Sequence, residues 1–221
     1  MSFTSRLSAA SCVPPAYIGL WKRSYIQRNQ GSKTSIDQQT QAWWFQSPRL
    51  HIDLRIPSDR PKLTSAQSVT QLSTQEWGRF TAQTSFAGLT SVNAEQCEWH
   101  PEIAFPVLAT EPDVGIIRFD AADRIHEAGI DGSYEEEWLK IDTAPVLGLR
   151  LQNMDEVAYV LVSENWIAWA QGIPQIPAES SAALSRFDSW STASFATKAS
   201  GESKDWTIIA SIKSWTEGSV F

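Results

Sequence analysis

Between Gly19 and Pro57 the chain reads GLWKRSYIQRNQGSKTSIDQQTQAWWFQSPRLHIDLRIP, with apolar and polar side chains alternating through much of it. A period of two is the signature of a β-strand, since successive side chains point to opposite faces. The clearest case runs from Arg49 to Pro57. Leu50, Ile52, Leu54 and Ile56 fall on one face, and His51, Asp53 and Arg55 on the other. Asn29-Gln30-Gly31-Ser32 and Ser47-Pro48 are turn signals, so three strands follow one another over Tyr17–Ile26, Asp37–Gln46 and Arg49–Pro57. Three short sequential strands of this kind are built into antiparallel barrels or sandwiches.

The same reading continues downstream. Pro57, Pro61 and a polar run to Gln71 make a long connection, of a length that suits a loop over a barrel mouth. Ser73-Thr74-Gln75-Glu76 is a capping box, and predicts a short helix to about Gln83. Phe86–Val92 and Gln96–Trp99 read as a hairpin. Gly115–Asp120, Arg124–Gly129 and Ser133–Asp142 read as three further strands, with turns at Asp120–Asp123 and Asp131-Gly132. Val146–Gln152, Ala158–Ser163, Trp166–Ala170 and Thr207–Trp215 extend the meander, and Ala178–Ser189 is a second short helix candidate. No repeat of propeller or solenoid length is visible. About ten sequential strands with one or two short helices predict an all-β chain: a single antiparallel up-and-down barrel over 17–221, after a flexible N-terminus at 1–16.

A chain of 221 residues suffices for one such domain. The net charge of −7 argues against nonspecific binding to nucleic acid or to an anionic membrane, and no segment has the apolar length of a membrane span. Cys12 and Cys97 are too few and too far apart for a disulfide framework, and the stretch before Cys12 is too short and polar for a secretory leader. These features predict a cytoplasmic protein. The eleven tryptophans stand out. Each brings a large apolar body and one N–H that needs a partner when buried, so they belong either to a core and an interface or to an aromatic ligand cavity.

Gly19-Leu20-Trp21 is the G-x-W seen in the first strand of lipocalin-like barrels. Lipocalins usually also set an arginine from near the end of their last strand over this tryptophan; the last strand here offers Lys213. A longer pattern covers residues 17–218. Trp21 and Arg23, Trp44 and Gln46, and Asp53 and Arg55 are followed by Phe86-Ala87-Gly88, Trp99, Asp113-x-Gly115, Glu127-x-Gly129, Tyr134-x-Glu136-x-Trp138 and Ser214-Trp215-Thr216-Glu217-Gly218. In this order the chain resembles the fungal Hri family, the Hrr-kinase-interacting proteins, which have bacterial relatives. The resemblance implies a lipocalin-like β-barrel of unassigned activity.

It also bears on which strand faces point inward. By alternation alone His51, Asp53 and Arg55 are most simply solvent-facing, because antiparallel sheets commonly wet one side. Yet Trp21, Trp44 and Trp138 share the parity of Arg23, Gln46 and Glu136 within their strands. Rows mixing tryptophan with charge suit a lumen in which Arg23 or Arg55 pairs with Asp53, Glu127 or Glu136. The lumen candidates are then Trp21, Arg23, Trp44, Gln46, Asp53, Arg55, Trp99, Glu127, Tyr134, Glu136 and Trp138. Arginine in such a lumen would hold an anionic or carbonyl group, and the indoles a flat apolar body.

Signals for catalysis are weak. Glu127 and Glu136 could form a glycosidase-like carboxylate pair. Cys97 and His100, three apart on a strand, point to opposite sides. His51, His100 and His126 are scattered, which predicts no metal site, and Gly129–Gly132 is too short for a phosphate loop, which predicts no nucleotide cofactor. Three functions remain open: a noncatalytic binder of a small, partly polar or aromatic ligand; an interaction module that meets a protein partner or a second copy through its outer surface; and an enzyme using Arg, Asp and Glu in the cavity.

Overall fold

The computed structural model describes residues 11–64, 67, 69–106, 113–174, 192–198 and 205–221. Eight antiparallel strands close a barrel, in the spatial order β1 (Gly19–Gln30), β3 (Gln41–Gln46), β4 (Leu50–Ile56), β5 (Thr84–Asn93), β6 (Gln96–Phe105), β7 (Asp113–Ala121), β8 (Arg124–Gly129) and β9 (Tyr134–Asp142), which returns to β1. The extra strand β2 (Lys33–Asp37) pairs with the upper half of β1, Ile26–Gln30, while the lower half, Gly19–Lys22, pairs with β3. The segment read as one strand over Asp37–Gln46 is therefore broken at 38–40, where the Asp37 carboxylate accepts from the Gln39 and Thr40 amides in an Asx turn.

The all-β, up-and-down barrel expected from the sequence is present, and the chain continues past it. A second sheet, β10 (Leu147–Asn153), β11 (Glu156–Val162), β12 (Trp166–Gly172), β13 (Thr192–Lys198) and β14 (Trp206–Ser211), is a five-stranded meander. It covers the outside of the barrel at β4 and its neighbours. The described residues thus hold fourteen strands rather than about ten. The predicted helix is α1 (Thr74–Thr81), and its capping box forms as read: Ser73 Oγ accepts from the Glu76 amide, and the Glu76 carboxylate accepts from the Ser73 amide. The helix candidate at Ala178–Ser189 lies outside the described residues.

Two apolar cores result. One lies between the barrel wall and the second sheet, where Trp43, Phe45, Ile52 and Leu54 meet Tyr159, Leu161 and Phe195. Within it Glu102 takes a bidentate contact from Arg150, at 2.7 and 2.6 Å, and a 2.6 Å hydrogen bond from the Tyr159 hydroxyl. The other core is the lower barrel interior, with Trp21, Trp44, Trp99, Trp138, Ile117 and Ile125. Residues 11–18 cross the lower end, a place the sequence reading did not give them. The Val13 amide donates to Pro48 O, Tyr17 is buried, and Tyr17 O accepts from Trp21 Nε1 at 2.8 Å. The strand that closes the barrel is β9, so the basic group over Trp21 is Lys140 and not Lys213. Lys140 Nζ stands 4.5 Å from the indole centroid and donates to Ala16 O and Ile18 O.

Candidate functional site

Arrangement of the faces follows from the two layers. Leu50, Ile52, Leu54 and Ile56 point outward, but the second sheet buries them. His51 and Asp53 therefore point into the barrel and are buried too, with Arg55 beside them, which corrects the solvent-facing assignment drawn from alternation alone. Of the residues named from the sequence, Trp21, Trp44, Trp99 and Trp138 share the lower core, Arg23, Gln46, Asp53, Glu127 and Glu136 are buried, and Arg55 and Tyr134 line the cavity at the upper end.

The interior is layered. At the bottom Trp21 stacks on Trp44 at 6.0 Å, and Trp99 and Trp138 meet Trp44 edge-on at 5.5 and 6.1 Å. At the closed end, beside the turn from β3 to β4, a hydrogen-bond chain flanks this cluster. Trp44 Nε1 donates to Gln46 Oε1 at 3.1 Å, Thr90 Oγ1 donates to the same oxygen at 2.8 Å, and His51 Nδ1 lies 3.0 Å from Thr90 Oγ1. Because the threonine proton is committed to Gln46, His51 must donate from Nδ1, which leaves Nε2 an acceptor. Burial, reinforced by His100, holds the His51 pKa down at about 3, so the ring is neutral. Nε2 is buried without a protein partner.

The charged layer lies higher. Arg23 Nη1 donates to Glu136 Oε1 at 2.6 Å, and Arg55 Nε donates to Asp53 Oδ1 at 3.0 Å, two among the several pairings that the sequence reading left open. Glu127 accepts from the Tyr134 hydroxyl at 2.8 Å and from Trp138 Nε1 at 3.1 Å. Two glycines make room for these side chains. A Cβ on Gly115 would sit 2.8 Å from Glu127 Cγ, and one on Gly129 would sit 2.7 Å from Tyr134 Cε1. Four carboxylates share the layer, and burial raises three of them: Glu127 to about 8, Asp53 to about 6, and Asp113 also upward. Repulsion from Glu136 adds to each, while Arg55 opposes it. Glu136 is 1% exposed, and its Oε2 has no protein partner.

At the upper end the lumen opens. A cavity of about 330 Å³ is lined by Ile26, Arg28, Arg55, Asp113, Ser133 and Tyr134, with Asn29 at its rim. Arg55, 28% exposed, lies against the Phe86 ring at 5.5 Å. No family model matches this chain, and no curated protein or solved structure matches it either.

Asp113 and Ile26 at the open end, and His51 and Thr90 toward the closed end, were not among the candidates. His51 shared the parity of Asp53 and Arg55, and that parity was the available signal. Among the described residues no group of three or more His, Cys, Asp or Glu side chains is placed to hold a metal ion, and no helix is long and apolar enough to cross a membrane.

Proposed function

We propose that this chain is a noncatalytic, lipocalin-like barrel that binds a small, partly polar or aromatic ligand at the open end of its lumen, in the cytoplasm. The observation that carries this reading is the asymmetry of the barrel. One end is closed by residues 11–18 over a packed tryptophan cluster, and the other opens into a cavity of about 330 Å³ above a buried charged layer. That volume is at the lower end of the range for small-molecule sites. Gly19-Leu20-Trp21 under Lys140 supports the lipocalin-like part, and the resemblance to the Hri family is consistent with it. The cytoplasmic part rests on two unpaired cysteines, Cys12 exposed and Cys97 buried. An enzyme reading would use Glu127 as a raised-pKa acid. Both its oxygens, however, are held by Tyr134 and Trp138, so a substrate could reach them only by displacing those groups.

Native mass spectrometry of the protein purified gently from its own cells tests the proposal. A reproducible extra mass that leaves on denaturation is expected. A bare mass, together with no thermal stabilisation by a small-molecule library, would overturn it.

A second reading has its own observation. The outer edge of β14 is covered by the chain's own tail, through Trp206 to Phe221 and Ile208 to Ser219 backbone bonds. The outer edge of β10 pairs with nothing among the described residues. Leu147, Leu149 and Leu151 stand on its outward face, 60, 45 and 54% exposed, while the strand's one charge, Arg150, is taken by Glu102. Antiparallel pairing of β10 with a second copy about Leu149 would set Leu149 on its own copy and Leu147 on the copy of Leu151. We propose this as a homodimer contact. Sedimentation should show a dimer that Leu149→Lys dissociates; a monomeric wild-type protein at 100 μM, on the order of a weak dimer's dissociation constant, would refute it.

A further inference from the structure

A register shift in β1 decides which side chains stand at the open end. Resting on the binding reading above, we infer that the open end of the barrel takes a small organic carboxylate with an apolar body, its carboxylate held between Arg28 and Arg55.

Three observations converge on it. The first is placement. Trp21 and Arg23 face the interior, and strict alternation from them would turn Arg28 outward. A β-bulge intervenes. Arg23 pairs with Trp138 and Tyr25 with Glu137, which sets two residues of β1 against one of β9. The inward face therefore passes to Ile26, opposite the buried Glu136, and to Arg28, opposite Tyr134. Arg28 in this way joins Arg55 on the wall of the cavity of about 330 Å³.

The second is the balance of donors and charge on that wall. Arg55 gives Asp53 its Nε proton and one Nη2 proton, at 3.0 and 3.5 Å, and its Nη1 donates to none of the described residues. The Arg28 side chain makes no hydrogen bond or ion pair with the described residues, and the Ser133 hydroxyl on the same wall is likewise uncommitted. A guanidinium offers N–H donors in a fixed fork and no acceptor, so what these groups can take is an acceptor, and a carboxylate matches the fork best. Among the described residues of the wall, Asp113 is the one carboxyl group. Asp53 is matched by Arg55, Glu136 is buried off this wall and held by Arg23, and Glu127, its pKa raised by burial to about 8, keeps its proton at pH 7. An anion thus gains contact with uncommitted donors, and Asp113 is the wall group that opposes it, which suits a single negative charge.

The third is shape. Ile26 and the Tyr134 ring form the apolar part of the wall. A neighbouring cavity of about 430 Å³ shares Asp113, Ser133 and Tyr134 with the first and continues past Val114 to Ile130, which is 62% exposed. An apolar body attached to the carboxylate would cover these surfaces and remove them from water.

The test holds the ring constant and changes the head group. Phenylacetate, phenylacetamide and phenethylammonium, with acetate as the head group alone, are titrated by calorimetry into the full-length protein at pH 7. Phenylacetate should bind, the amide about tenfold more weakly, and neither the ammonium nor acetate measurably. Arg28→Gln should weaken phenylacetate about tenfold at unchanged melting temperature, since Arg28 holds no other side chain among the described residues. Asp113→Asn should tighten it about threefold by removing the opposing charge. A merely structural role for the two residues would move the melting temperature and would not shift the affinity in opposite directions. Binding of the amide, the ammonium or acetate as tight as that of phenylacetate would overturn the inference and leave the binding reading standing, as would an Arg28→Gln variant that binds phenylacetate like the wild type. Silence from all four probes would overturn it too, and the mass of the natively purified protein then decides the binding reading separately.

Discussion

Replacing Glu127 by Gln should make the protein more stable at alkaline pH. Glu127 is 3% exposed, and burial with the nearby Glu136 charge lifts its pKa from 4.5 to about 8. The sign follows from proton counting. A carboxyl group that binds its proton more tightly when folded contributes stability that is complete below the unfolded pKa near 4.5. That contribution falls steadily as pH rises and is gone above about 8. At 1.36 kcal/mol per pKa unit the loss comes to about 5 kcal/mol, taken as an upper value. Glutamine keeps the shape and carries no proton to lose. Its amide oxygen can accept from Trp138 Nε1, and its NH2 can donate to the Tyr134 oxygen, which turns from donor to acceptor. Urea unfolding of both proteins, followed by tryptophan fluorescence at pH 5, 7 and 9, isolates the group, because the pH dependence of the other residues largely cancels in the difference. The variant should be close to wild type at pH 5 and should gain progressively to pH 9. Parallel stability curves across that range would refute the reasoning and place the ionised form of Glu127 in a satisfied setting.

Further tests address other layers. Gly115→Ala should cost about 1–3 kcal/mol, because its methyl group lands on the Glu127 side chain, whereas Gly78→Ala, which meets nothing within 4 Å in α1, should stabilise by up to about 1 kcal/mol; equal effects in chemical denaturation would contradict the packing described. Ser73→Ala should remove about 1 kcal/mol by deleting the cap of α1, measured the same way. Ellman's reagent should titrate one thiol in the native protein, Cys12, and two after unfolding, since burial first and then Glu127 and Asp113 push the Cys97 pKa up; rapid reaction of both in the native state would place Cys97 outside the lumen.

Much of the barrel could be read from the sequence because its signals are local. Alternation at Leu50–Ile56, the Ser73–Glu76 box and the Asp131-Gly132 turn each act within a few residues. What could not be read is nonlocal. Nothing in Tyr134–Asp142 announces that it closes onto β1, so the last strand was the natural candidate and Lys213 the natural cation, where the structure uses β9 and Lys140. The second sheet was read as more barrel because its strands alternate in the same way, and pairing partners are not encoded in a period. The lumen itself was legible only by combining strands. His51, Asp53 and Arg55 alone look like a wet face, and become an interior once the opposite face is seen to be covered. Gly115 and Gly129 were visible as residues, but the side chains they admit come from neighbouring strands.

The barrel's closure has a consequence for synthesis. Every strand the barrel needs precedes residue 143, since β9 ends at Asp142, and β1 pairs with it directly. A ribosome adding 5–20 residues per second needs roughly 4–16 s to make the remaining 79 residues of the 221. During that interval a barrel can close while Trp43, Phe45, Ile52 and Leu54 on its outer wall await the second sheet. A nascent chain that closed its barrel in that interval would present an apolar flank until the second sheet arrived.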